Sequence, residues 1–293
     1  MYDDCSEFDI VSMMNAINAR IQSLARNTAQ RWLWGTSKAP EVAGNRHTLT
    51  ETEMEICRRA FGRQLVRALG SPPPEQSDSA EVLLPLAWQA CIVAVVSKIL
   101  SSFVAGLPTS ADGITIDNAL RAVSESVKKG EIQPAYGRWR FVTHRYMKTL
   151  IPNRNPLQSS VDEALTNCYL AARLALKSSC PDYQAFVDAF RGPVTEIMEE
   201  AAKLRTNIQE KMLTANYEPY LPAPAVSFKA ESMEVDLKVD RVFLRDTVVC
   251  TTRLGLGSSR KKERENSQVL LRENFLKAQV LTERNLREIL TGK

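Results

Sequence analysis

Histidine is nearly absent from this 293-residue chain, which holds only His47 and His144. A Ser-His-Asp or Cys-His catalytic arrangement has to recruit one of these two, and neither sits in a local motif. No G-x-S-x-G elbow and no H-E-x-x-H pattern occurs, which removes the sequence signatures of nucleophile-elbow hydrolases and zincins. The six cysteines, at 5, 57, 91, 168, 180 and 250, include no C-x-x-C pair, so neither a zinc knuckle nor a dithiol redox motif is present. Charge of one sign is also scarce in excess: 38 basic residues stand against 34 acidic ones, for a net charge of +4. That balance does not by itself imply a polyanionic partner.

An apolar leader is missing as well. The chain starts "MYDDCSEFD", so no secretory signal is expected. With six unpaired thiols, the expectation is a reducing compartment: cytoplasmic, with the nucleus as alternative, and not secreted. One stretch, "VLLPLAWQACIVAVVSKILSSFVAG" at 82 to 106, is apolar enough to raise the question of a membrane span. Its charge-free part, Val82 to Ser97, rises about 24 Å as a helix, short of the ~30 Å hydrocarbon core. The expectation is a buried core helix and no transmembrane segment.

What is present is amphipathic periodicity. Ile10, Met14, Ile17, Ile21, Leu24, Thr28 and Trp32 recur at spacings of three and four and predict one long helix over about residues 4 to 34. Thr50 and Glu53 fit a capping box opening a second helix that Gly70 stops. "SPPPEQSDSA" reads as a linker. Further helices are expected near 115 to 129, in the stretch before Pro152, and over 159 to 178. A short one at 182 to 190 should stop near Gly192, with Pro193 opening another. After Pro219, Pro222 and Pro224, partial alternation over 226 to 254 predicts two or three strands, for instance Val235, Leu237 and Val239 against Asp236, Lys238 and Asp240. The charged tail from about 262 reads as helical, with "SQVLLRENFL" as a competing strand.

The fold class is therefore mainly α, a multi-helix array of seven or so helices with a small β-containing C-terminal extension. The domain organisation is an N-terminal helical pair at 1–70, a linker at 71–81, a helical core at 82–216, and 217–293 as Pro-rich connector, short strands and charged tail.

The most distinctive stretch is "GEIQPAYGRWRFVTHRYMKTLIPNR", residues 130 to 154. On a helical wheel Trp139, Val142, Tyr146 and Leu150 share one face and Arg140, His144 and Lys148 the opposite one, with Phe141 and Arg145 beside them. The reading places the aromatic face inward and the basic stripe in water, neutralised by glutamates such as Glu196, Glu199 and Glu200 or free to dock a partner. Arg138, Arg140, Phe141, His144, Arg145 and Lys148 form that candidate docking patch. Only Phe141 interleaves with the charges, which argues against base stacking.

Two other motifs ask for chemistry. Asp3, Asp4 and Glu7 in "DDCSE" have a D-D-x-x-E spacing that resembles the magnesium-binding carboxylates of all-α terpene synthases. They lie at the N-terminus with no second metal motif, so an exposed acidic cap is the preferred reading. "RLGLGSSRKK", 253 to 262, is glycine-rich but satisfies no phosphate-loop pattern, because Arg260 stands where a third glycine is needed. Gly255 and Gly257 are read as a turn. No catalytic residue, cofactor or metal site is assigned.

The order of "FDIVSMMNAINARIQSLA", "YGRWRFVTHRYM", "FVDAFRGPVTEIMEEAAKLRTNIQ", "SFKAESME" and "VVCTTRLGLG" resembles a widespread set of uncharacterised, mostly helical fungal intracellular proteins. The resemblance implies a helical intracellular protein and carries no activity with it. The functional expectation is a non-catalytic protein-interaction or regulatory protein whose partner is another protein. An enzyme or small-ligand binder with a cavity between helices is the alternative. A binder of nucleic acid or anionic membrane, through the basic stripe and the Arg260 to Arg264 run, ranks third.

Overall fold

Helix α1, Glu7–Gly35, carries the apolar row read from the sequence, and Ile10, Met14, Ile17 and Ile21 are buried on it. The structure is a computed structural model that describes residues 3–35, 49–71, 79–106, 111–150, 157–177, 180–236, 246–264 and 267–291. His47, most of the linker, Pro152, and Leu237, Val239 and Asp240 of the alternating segment lie outside the described residues.

Helix α2, Glu51–Phe61, opens on the capping box: Thr50 accepts from the Glu53 amide while the Glu53 carboxylate accepts from the Thr50 amide. The second helix does not run on to Gly70 as expected. It breaks at Gly62, and a separate α3 spans Arg63–Gly70. Gly62 has φ of +89°, and a Cβ there would lie 2.5 Å from the Val249 carbonyl oxygen. The chain turns at the one residue that can both adopt this φ and press against a strand.

Helix α4, Ser79–Ser101, is the central element. Its Ala80–Ser101 part is long and apolar enough to cross a membrane, yet the most apolar window of it is 83% buried inside the protein, as a core helix. Apolar residues all round follow from that position, because α1, α7 and α8 surround it. Trp88 on α4 packs edge-on against Trp32 and Phe190, with ring centroids 5.7 and 4.9 Å apart, and its indole N–H donates to the Cys168 carbonyl at 2.8 Å.

Helices α5, Ala111–Gly130, α6, Gln133–Leu150, and α7, Gln158–Leu176, match the predicted positions. Helix α8, Tyr183–Glu210, corrects the sequence reading: it is one continuous helix through Gly192 and Pro193. Phe186, Phe190, Val194, Ile197, Ala201 and Leu204 are all buried along it, and that contact outweighs the single backbone hydrogen bond a proline forgoes.

The C-terminal part forms two three-stranded sheets. Strands β1, Asn216–Tyr220, β4, Gly255–Arg264, and β5, Ser267–Leu276, pair antiparallel in the order β1-β4-β5. Strands β2, Met233–Val235, β3, Val248–Arg253, and β6, Ala278–Thr282, form the other sheet, with β6 central, parallel to β2 and antiparallel to β3. Pro219 is tolerated because β1 is an edge strand. The tail expected as helix from about 262 is thus the β4–β5 hairpin, and only α9, Glu283–Thr291, is helical. Gly255 and Gly257 lie within β4, paired with Tyr220 and Glu218, rather than in a turn.

The described residues form nine helices and six strands, mainly α with a β-containing C-terminal part. One hydrophobic core runs from Ile10 on α1 to Leu286 on α9, so the first three helices share their core with the rest of the chain.

Candidate functional site

Helix α6 meets the chain just after α8 at Gly137, where a Cβ would overlap the Leu213 carbonyl. This close approach fixes which face of α6 is buried. Gln133, Tyr136, Gly137, Arg140 and His144, successive turns of one stripe, point inward. Val142, Tyr146 and Leu150 are exposed, the last two by 67% and 71%. The wheel reading was inverted: the stripe expected in water is the buried one, and Arg140 and His144 belong to no solvated patch. Trp139 is half-buried between Phe103 and Tyr136. Of the six patch residues, Arg138, Arg145 and Lys148 are exposed, and half-buried Phe141 lies under the Arg145 guanidinium, 6.0 Å from it.

Buried polar groups need partners, and this stripe has them. Arg140 donates to the Met212 and Ala215 carbonyls and, at 2.7 Å, to Asn216 Oδ1. Its guanidinium also lies over the Tyr136 ring at 5.5 Å. Gln133 exchanges amide hydrogen bonds with Asn216. His144 Nδ1 lies 2.8 Å from Glu210, and Lys148 reaches the same carboxylate oxygen at 3.5 Å. Burial pushes the His144 imidazole down to about 4 despite that contact, so at neutral pH the ring is uncharged and Nδ1–H donates to Glu210. The expected partners of the stripe stand elsewhere: Glu196 and Glu200 pair with Arg20 at 3.2 and 3.3 Å.

Between α5, α6, the C-terminal half of α8 and β1 lies a cavity of about 510 Å³. Arg140 and Arg205 form part of its wall, with Tyr136, Ser124, Gln209 and Asn216. Ser124 and Tyr136 share a hydrogen bond of 2.9 Å. Arg205 Nε donates to the Ser102 carbonyl at 2.6 Å, and Gln209, with its amide oxygen turned to the guanidinium, accepts from the same nitrogen at 3.1 Å. Arg205 is only 9% exposed and Arg140 only 3%. Burial, joined by the charge of Arg140, pushes Arg205 down to about 9, and burial lowers Arg140 too. Both remain cations at neutral pH.

Among the described residues no carboxylate lies within ion-pair distance of either guanidinium. The nearby buried acid is Asp117, which accepts from the Phe103 amide at 2.6 Å and whose own pKa is raised by burial. On the rim, Glu125 and Glu218 are both turned to Lys128, at 3.9 and 2.7 Å, while Arg121 stands exposed.

The other motifs resolve into structural roles. Asp3 accepts from the Leu213 and Thr214 amides and the Thr214 hydroxyl, and Glu7 accepts from Tyr217, so the acidic N-terminus straps the turn that holds Arg140. Among the described residues no group of three metal-ligating side chains converges. Arg260 pairs with Glu273 across the hairpin at 3.2 Å, and Lys261 donates to the Lys129 and Glu131 carbonyls at the C-terminal end of α5. All six cysteines are free thiols, and burial pushes Cys57 and Cys180 up to about 12.

Sequence reasoning found Arg140 but missed Arg205, Tyr136, Asn216 and Arg121. Arg205 had a signal, since it directly follows Leu204 and lies three residues before Ile208 on the buried side of α8. Comparison with known protein families, with curated proteins and with solved structures finds no match to this chain.

Proposed function

We propose that this protein binds a small polar ligand in the cavity between α5, α6, α8 and β1, as a sensor or carrier. The observation that carries the reading is the wall itself: about 510 Å³ bounded by Ser124, Tyr136, Arg140, Arg205, Gln209 and Asn216, side chains from four elements converging on one space. Pockets of this size accommodate metabolite-sized molecules, and convergent polar groups fix their orientation. The docking-patch reading loses Arg140 and His144 to the interior, and Arg140 joins the cavity instead. His144 is engaged with Glu210 and is not part of the wall, which favours recognition over acid–base chemistry there.

The test is a thermal-shift screen of small polar metabolites against the wild-type protein and Ala122→Trp. Ala122 is exposed on α5 and borders the cavity, so an indole there spans its mouth. Ligands that stabilise the wild type and leave Ala122→Trp unmoved support the reading. Equal stabilisation of both proteins, or none of either, overturns it.

A further inference from the structure

We propose that the Arg140–Arg205 wall of the cavity is an oxyanion subsite that takes the dianionic phosphate of a small phosphomonoester, with Arg121 as a third contact at the rim. This rests on the ligand-binding reading above and names the chemical class.

Two guanidiniums are held on one wall, each at least nine-tenths buried, and no carboxylate forms an ion pair with either among the described residues. Burying a cation without a counter-charge is costly, and proteins ordinarily place an acid beside it. Here the acids that could serve are committed elsewhere. Glu125 and Glu218 face Lys128, Glu210 faces His144 and Lys148, and Asp117 accepts from backbone amides. Counted over wall and rim, Arg121, Lys128, Arg140 and Arg205 stand against Asp117, Glu125 and Glu218. The surplus over wall and rim is one positive charge, but two cations are concentrated on the Arg140–Arg205 wall, where the doubly charged group of a phosphomonoester meets both guanidiniums and a monocarboxylate leaves one unmatched.

Hydrogen bonding points the same way. A guanidinium offers five N–H donors. Backbone carbonyls and Asn216 occupy three of those of Arg140, and Ser102 and Gln209 occupy the Nε edge of Arg205. Both side chains are thus locked in place by protein acceptors while donors remain, notably Nη1 of Arg205. A fixed fork with spare donors is the geometry that binds phosphate oxygens in pairs. The Ser124–Tyr136 hydroxyl pair lies on the same cavity and, with one O–H spent on their mutual bond, leaves one neutral donor for the rest of the ligand.

The experiment titrates the full chain with inorganic phosphate and, separately, acetate, by isothermal calorimetry at fixed ionic strength. Three variants accompany the wild type. Arg205→Met removes a buried guanidinium at similar length. Arg121→Ala removes an exposed one that forms no hydrogen bond or ion pair among the described residues, which keeps the test valid if Arg205→Met misfolds. Ala122→Trp closes the cavity. Expected are saturable phosphate binding tighter than acetate, an affinity loss of about tenfold or more with Arg121→Ala and more with Arg205→Met, and no detectable phosphate binding to Ala122→Trp. Phosphate binding that is absent, weaker than acetate, or untouched by Arg121→Ala overturns the assignment. If phosphate fails while a metabolite from the screen still requires an open cavity, the phosphate subsite is wrong and the cavity reading stands. If nothing depends on Ala122, both fall.

Discussion

Asn18 and Leu254, 236 residues apart, exchange a reciprocal pair of buried hydrogen bonds: Asn18 Nδ2 donates to the Leu254 carbonyl at 2.9 Å, and the Leu254 amide donates to Asn18 Oδ1 at 3.0 Å. One side-chain amide on α1 thereby satisfies both backbone groups of the residue linking β3 to β4. Asn18→Leu leaves both unsatisfied in the interior and should cost about 2–4 kcal/mol, read by urea denaturation. Asn18→Asp keeps an acceptor for the Leu254 amide but faces its carbonyl with a carboxylate, so it should rescue little. A loss under about 0.5 kcal/mol for the leucine variant would show that water reaches the site.

Gly137 makes the packing of α6 against the 211–215 turn possible. Gly137→Ala should force the helix outward, loosening the Arg140 anchors, at about 1–3 kcal/mol. Gly130→Ala, on a helix end with no atom within 4 Å of an added Cβ, should be neutral or stabilising by up to about 1 kcal/mol. Both are read from denaturant midpoints.

The outward face of α6 yields the opposite expectation. Tyr146→Ala and Leu150→Ala should each change stability by less than about 0.5 kcal/mol, because both side chains are mostly in water. Large losses would restore the face assignment drawn from the helical wheel.

Acid should weaken the protein through His144. The unfolded imidazole titrates near its ordinary 6.5, the folded one near 4. As pH falls from about 6.5 towards 4, the unfolded chain binds a proton that the folded one refuses. Stability is therefore lost on acidification, with a slope of at most about 1.4 kcal/mol per pH unit from this residue. His144→Gln should remove that component between about pH 7 and pH 5, above the range where carboxylates such as Glu53 and Asp9, held low by their hydrogen bonds, take over. Identical pH profiles for variant and wild type would falsify the assignment.

The parts of the fold legible in the sequence were those governed by local chemistry. Thr50 and Glu53 cap a helix through contacts three residues apart, and the apolar stretch that forms α4 has too short a charge-free run to favour a membrane span, which marked it as a core helix. The failures share one cause. Whether Gly192–Pro193 breaks a helix, whether 267–276 pairs as a strand and which stripe of α6 faces inward are all decided by partners distant in the chain: the core along α8, strand β4, and the Leu213 carbonyl. The cavity was hardest to foresee, because periodicity assigns the more polar stripe to water. A polar stripe can be buried when carbonyls such as those of Met212 and Ala215 receive it.

The core that joins Ile10 to Leu286 has a consequence for biosynthesis. Helix α1 is synthesised before α4 and α8, the two helices it packs against, and before Leu254, which its Asn18 holds. Its apolar row stays without a partner until α4 is made and is fully covered only with α8, so the growing chain carries exposed apolar surface that chaperones bind.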